Sequence, residues 1–124
     1  MNFLNFKIKN PFKKTVKYKA PMLHVSVETF DKLIRQWHHD RNLIEGSTDK
    51  DQILKLMQEL GELSDNCCKG YDMRDDLGDM MVVMINIMER NGYTLEGCLG
   101  QAYGDIKDRK GRMVDGIFVK EEDL

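Results

Sequence analysis

"KLMQELGELSDN" (residues 55–66) sets two acids beside an apolar stripe inside a run of strong helix formers. Ile53, Leu56, Met57, Leu60 and Leu63 recur at helical spacing and share one face. At about 100° per residue, Glu59 and Glu62 fall on the margin of that face. Lys55 and Asn66 lie on the same margin, giving a polar stripe Lys55–Glu59–Glu62–Asn66. "DDLGDMMVVMIN" (75–86) repeats the device with Asp76 and Asp79. Its stripe runs Asp76, Asp79, Val83, Asn86 and Arg90. The segment from Met80 to Met88 is apolar over most of its circumference, which predicts a central helix.

Working outward, Ser26, Thr48 and Thr94 suit N-caps, and Thr48 with Asp51 matches a capping box. Gly46, Gly70, Gly92 and Gly111 each follow a periodic segment, where a left-handed residue ends a helix. The punctuation predicts helices near 27–45, 49–69, 73–91 and 95–110. The short turn at Gly70 makes the second and third antiparallel. The expected fold is all-α, an antiparallel bundle of about four helices. Its surplus apolar surface predicts completion by oligomerisation, as a homodimer or homotetramer. "DGIFVK" (115–120) reads as a short strand or extended arm, and "EEDL" as a solvated end. The organisation is a basic N-terminal extension (1–21), a helical domain (22–112) and a C-terminal extension (113–124).

Composition narrows the class. A chain of 124 residues suits one domain, and its net charge of −2 gives no general argument for nucleic acid or an anionic membrane. No apolar run is long enough to span a bilayer. Three cysteines and the absence of zinc-like Cys/His spacing fit a reducing cytoplasm, with Cys67 and Cys68 as packing residues. The first 20 residues carry six lysines and no acid, without the continuous apolar centre of a signal peptide. They read as an extension, or as a basic arm touching a polyanion or a neighbouring subunit.

If the two polar stripes face each other, four carboxylates share one cleft. They repel unless some stay protonated or a cation sits among them. Hard divalent ions take oxygen ligands, and Mg²⁺ combines a few carboxylates with water and substrate phosphates. One E-x-x-E on a helix is ordinarily a solvated pair. Two such pairs on successive helices point toward metal. Gly61 and Gly78, placed inside these helices at a cost of about 1 kcal/mol each relative to alanine, suggest close approach of backbone or ligand.

"QELGELSD" followed by "DDLGDMMVVMI" resembles the MazG-like, all-α nucleoside triphosphate pyrophosphohydrolases, whose signature is E-x-x-E, a spacer, then E-x-x-D. The all-α dUTPases and phosphoribosyl-ATP pyrophosphohydrolases share that core. The resemblance covers residues 26 to 112, and the flanks "WHHDRNLIEGST" and "IKDRKGRMVDG" look most like short bacteriophage versions. It departs at Asp76, where the family usually has glutamate, and at Gln58, where a glutamate often precedes the motif.

The resemblance implies hydrolysis of a nucleoside triphosphate to monophosphate and pyrophosphate, with Mg²⁺ or Mn²⁺ held by Glu59, Glu62, Asp76 and Asp79. Glu59 or Glu62 would orient or deprotonate the attacking water. Lys55, one turn before Glu59, is a candidate for the phosphates. Lys107 and Lys110 in "KDRKGR" are raised by the resemblance above a role as helix-end charges. Trp37 can stack on a base or anchor a core, Asn42 can bond a base edge, and Asn86 needs a partner, either substrate or a neighbouring helix. His38 and His39 read as surface or supporting residues rather than metal ligands. A non-catalytic helical module that binds nucleotide or protein is the alternative. A nucleic-acid binder acting through the basic arm is a third reading.

Overall fold

The computed structural model describes residues 24–124, so the expectation for the basic extension 1–21 falls outside the described residues. Four helices follow in order: α1 (Val27–Asp40), α2 (Asp49–Cys68), α3 (Arg74–Asn91) and α4 (Leu95–Ile106). Two strands, β1 (Gly111–Val114) and β2 (Ile117–Lys120), and a short 3-10 turn (Glu121–Asp123) complete the chain. The chain divides into two compact units, one ending at Gly92 and one spanning Tyr93–Leu124.

The helix starts obey local chemistry. Ser26 accepts from the Thr29 amide, and Thr94 from the Gly97 amide. Thr48 accepts from the Asp51 amide while Asp51 accepts from the Thr48 amide, a complete capping box. Gly92 ends α3 at φ 70, a left-handed position that glycine enters without strain.

Two helix ends fall short of expectation. α1 stops at Asp40 rather than running to 45, because the amides of Arg41 and Leu43 both turn back to the His38 carbonyl. Asn42 takes φ 55 in this turn, and a Cβ on Gly46 would collide with the Asn42 side chain and carbonyl. Gly46 therefore admits a folded connection rather than capping α1. α4 ends at Ile106, not 110, and Gly111 begins a strand.

In the first unit α2 and α3 form an antiparallel pair tied at both ends. Near the turn, Asn66 Nδ2 donates to both oxygens of Asp76 at 2.9 and 2.8 Å. At the far end Arg90 Nε donates to Asp49 Oδ1 at 3.0 Å, and Asn91 Nδ2 also reaches Asp49. Arg90 Nη1 additionally donates to the Ile44 carbonyl. α1 packs on α3 through Arg35, whose Nη1 donates to Glu89 Oε2 at 3.3 Å, and through His38, which meets the Val82 carbonyl at 2.9 Å.

The closure of this pair reverses the expected polarity of α2. Its buried positions are Gln52, Glu59 and Asn66, all from the polar side. Ile53, Met57 and Leu60 are 48%, 63% and 52% exposed. On α3 the buried set is Asp76, Val83, Ile85 and Asn86, while Leu77 and Met81 stay exposed. Taking about 100° per residue, Leu60, Ile53 and Met57 lie to one hand of Glu59, and Leu77, Met81 and Met88 to the same hand of Asp76. Equal hands of an antiparallel pair fall on one flank. Asn86 and Glu89, which meet α1, lie to the other hand. The pair therefore seals a polar seam, with α1 on one flank and an apolar face on the opposite one.

In the second unit β1 and β2 pair antiparallel, with Val114 opposite Ile117. Asp115 (φ 49) and Gly116 (φ 82) form the two-residue turn, the left-handed pair that matches strand twist. Of the two readings of 115–120, the short strand holds: it is β2, half of a hairpin. The fold is mostly helical, with this small sheet added to the four helices.

Candidate functional site

The acids of the two motifs occupy one end of the α2–α3 seam. Glu59 and Asp76 are buried, at 7% and 5% exposure; Asp79 is half-buried and Glu62 exposed. Lys55 Nζ lies 3.1 Å from Glu59 Oε1, one turn away on α2. Glu59 Oε2 is buried and has no hydrogen-bond partner. Such an atom carries the full desolvation penalty unless something else meets it.

The carboxylates act on one another. Desolvation first, and then the negative charges of Asp75, Glu59, Asp76 and Glu62, together push the Asp79 carboxyl up to about 6. Four residues on two helices thus press on one proton, while a single lysine offsets Glu59. Among the described residues, however, no group of three or more His, Cys, Asp or Glu side chains is gathered closely enough to hold a metal ion. The four motif acids share a field without converging on a point. Their donor chemistry, hard oxygens with one unpartnered and buried, fits a small divalent cation in kind. Asp76, like Asp79, is one methylene shorter than the glutamates, and both its oxygens already accept from Asn66.

The glycines between the acids are not explained by close packing. A Cβ on Gly61 or Gly78 would meet nothing within 4 Å.

The expected substrate contacts are dispersed. Lys55 is half exposed beside Glu59. Trp37 is 43% exposed, which removes it as a core anchor; the Arg41 guanidinium carbon lies 4.2 Å from its ring centroid. Asn42 is exposed in the turn after α1. Asn86 is fully enclosed, and its amide donates to the Leu43 carbonyl at 3.0 Å, so its partner is the protein itself. Lys107 and Lys110 belong to the second unit, where both are exposed. Lys110 lines an open concavity of about 610 Å³ with Asp105, Asp108, Arg109, Lys120, Glu121 and Glu122. Acids and bases are mixed there, so the local field is not that of a phosphate cradle.

Two expectations outside the acids are corrected. His38 is not a surface residue: at 3% exposure it links α1 to α3, and burial lowers its pKa from the ordinary value. Cys67 and Cys68 are exposed at the end of α2 rather than packed. The sequence signal for His38 was present in its spacing from Ile34 and Phe30, which puts it on the inner face of α1, but a histidine seldom reads as a core residue. Asn66 as the partner of Asp76 was signalled by its place on the polar stripe.

No helix among the described residues is long and apolar enough to cross a membrane. No family model matches the chain, and no solved structure matches it. The chain is similar to an uncharacterised 18.2 kDa protein from the rep–hol intergenic region of Haemophilus phage HP1, with 44% identity over 62 residues. That match spans 48% of this chain and 38% of the phage protein.

Proposed function

We propose that this protein is a Mg²⁺-dependent nucleoside triphosphate pyrophosphohydrolase of the MazG-like kind, with Mn²⁺ as an alternative ion. One observation carries the reading: carboxylates from two helices crowd a seam in which Asp79 is driven up to about 6 and Glu59 Oε2 has no partner. Structural seams ordinarily pair opposite charges; a seam of like charges is suited to a cation. The spacing of Glu59, Glu62, Asp76 and Asp79, which resembles the family signature, supports the same reading.

Glu59, Glu62, Asp76 and Asp79 would hold the ion, which when bound offsets negative charge on the phosphates. Glu59, whose Oε1 meets Lys55, would have its unpartnered Oε2 left to help hold the ion. Glu62, exposed at the rim of the seam, orients a water and takes its proton. Lys55 shifts between Glu59 and a phosphate oxygen, since its ammonium is half exposed. Trp37 offers an exposed indole face for a base, with Arg41 over the ring and Asn42 in the adjoining turn.

The active form is a homodimer or homotetramer. Val83 and Ile85 are the buried apolar residues of the first unit among those described, a small core for its helices. The flank of Ile53, Met57, Leu60, Leu77 and Met81 is the face for a second copy, and Leu60→Glu should lower the mass measured by light scattering. The likeness to a phage protein supports work in the cytoplasm of an infected bacterium.

A panel of nucleoside triphosphates with and without Mg²⁺ tests the reading. Pyrophosphate and monophosphate should appear with Mg²⁺ and vanish in Glu62→Gln. A panel left intact by the wild-type protein refutes it. A second reading, a nucleotide- or protein-binding module without hydrolysis, draws on the capture of both Asp76 oxygens by Asn66. It predicts nucleotide binding that survives Glu62→Gln with no product formed.

A further inference from the structure

Away from the acids, three groups join α1, α3 and the connection between α1 and α2. The His38 ring places Nε2 2.9 Å from the Val82 carbonyl and Nδ1 3.2 Å from Asn86 Nδ2. Asn86 Nδ2 also lies 3.0 Å from the Leu43 carbonyl. His38 is 3% exposed and Asn86 0%.

Hydrogen-bond logic fixes every proton in this chain. A carbonyl only accepts, so Leu43 O requires the NH₂ side of the Asn86 amide. The second hydrogen of that NH₂ faces His38 Nδ1, which must therefore accept. Val82 O in turn requires a hydrogen on Nε2. The ring is neutral in a single tautomer. Adding a proton puts N–H on both sides of the His38–Asn86 contact. If the amide turns over to accept that new hydrogen, its oxygen faces the Leu43 carbonyl, and two acceptors meet. Asn86 can satisfy the protonated ring or Leu43, never both.

We propose that His38, Asn86 and the Leu43 carbonyl form a proton-operated clasp, which releases residues 41–43 from α3 when the His38 ring becomes an imidazolium. Desolvation and the neighbouring His39 on α1 oppose that proton, and Glu89 on α3 favours it. Glu89 is itself held by Arg35 of α1. At the far side of the connection Arg90 of α3 is fixed by Asp49 of α2 and the Ile44 carbonyl, so the release is confined between these anchors. The clasp involves none of the motif acids and stands whether or not the protein hydrolyses nucleotides.

The test is ¹⁵N NMR of the full chain from about pH 7.5 to about pH 5, bracketing the ordinary histidine range. At the upper end His38 should show the Nε2–H tautomer. As it protonates, the Asn86 side-chain signals should shift in step, and the protection of the Asn42 and Leu43 amides should fall about tenfold or more. His39→Gln should keep this transition and His38→Gln should abolish it. If His38→Gln does not fold, the wild-type titration decides. The clasp is refuted if His38 titrates while Asn86, Asn42 and Leu43 stay unchanged, if the transition persists without His38, or if Nδ1 carries the proton at neutral pH.

Discussion

At the C-terminal end of α3, charge meets opposite charge: Arg90 with Asp49, and Glu89 with Arg35. At its N-terminal end Asp75, Asp76 and Asp79 share their surroundings with Glu59 and Glu62, and Lys55 is the cation that meets Glu59. Both ends bury polar groups on one helix, yet only the first is arranged as a fold would arrange them for its own stability. These part-buried opposite-charge pairs join α3 to α1 and α2, so the C-terminal end holds helices together. Relieving like-charge crowding has the opposite sign. The contrast teaches that burial of polar groups in a small helical domain is informative only with their charge balance in view.

The largest expected effect breaks the N-terminal end. Glu59→Gln should lower pyrophosphate release at least about 100-fold, the scale of removing one preorganised charge-stabilising group, while circular dichroism stays unchanged. An unaltered rate would leave the crowded seam without a catalytic role.

Next in size, Asn86→Ala attacks the C-terminal side of the comparison. It strands His38 Nδ1 and the Leu43 carbonyl in a buried site and should cost about 2–3 kcal/mol in urea unfolding.

The two ends should also answer pH with opposite signs. Asp79 has its folded pKa raised from 3.8 to about 6, so the folded state holds more protons than the unfolded one in that window. Its contribution to stability therefore declines as pH rises from about 4 to about 6. His38 has its folded pKa lowered from 6.5, so its contribution is present above 6.5 and is lost as pH falls below that value. Asp79→Asn should flatten the first trend and raise the melting temperature at pH 7. His38→Gln should flatten the second.

The smallest effect lies at the start of α2, beside Asp49, in a bond that reaches neither the acids nor His38. Thr48→Ala removes one half of the α2 capping box and should cost about 1 kcal/mol with no change in either pH trend.

The helices were legible because caps and period are local. Ser26, Thr48 and Thr94 each accept the hydrogen bond their positions required. Gly46 misled because a glycine that admits an Asn42 turn looks the same in sequence as one that ends a helix. The Asp-Gly pair at 115–116 held the hairpin signal, but the partner strand "GRMV" alternates too briefly to announce itself. For the site, spacing placed the acids on one stripe of each helix. What it did not reveal is which stripe closes inward. Apolar periodicity favoured Ile53, Met57 and Leu60, and the seam closed instead on Gln52, Glu59 and Asn66. That choice depends on α3 supplying Asp76 as the partner of Asn66, a tertiary pairing no single helix encodes.

Manganese titration followed by electron paramagnetic resonance, which reads the free ion, tests the seam most directly. The wild-type protein should deplete the free Mn²⁺ signal, and a Glu59→Gln/Asp79→Asn double variant that keeps its helical spectrum should leave it at the level of buffer. Equal free Mn²⁺ over both proteins would contradict the assignment of these acids to a cation.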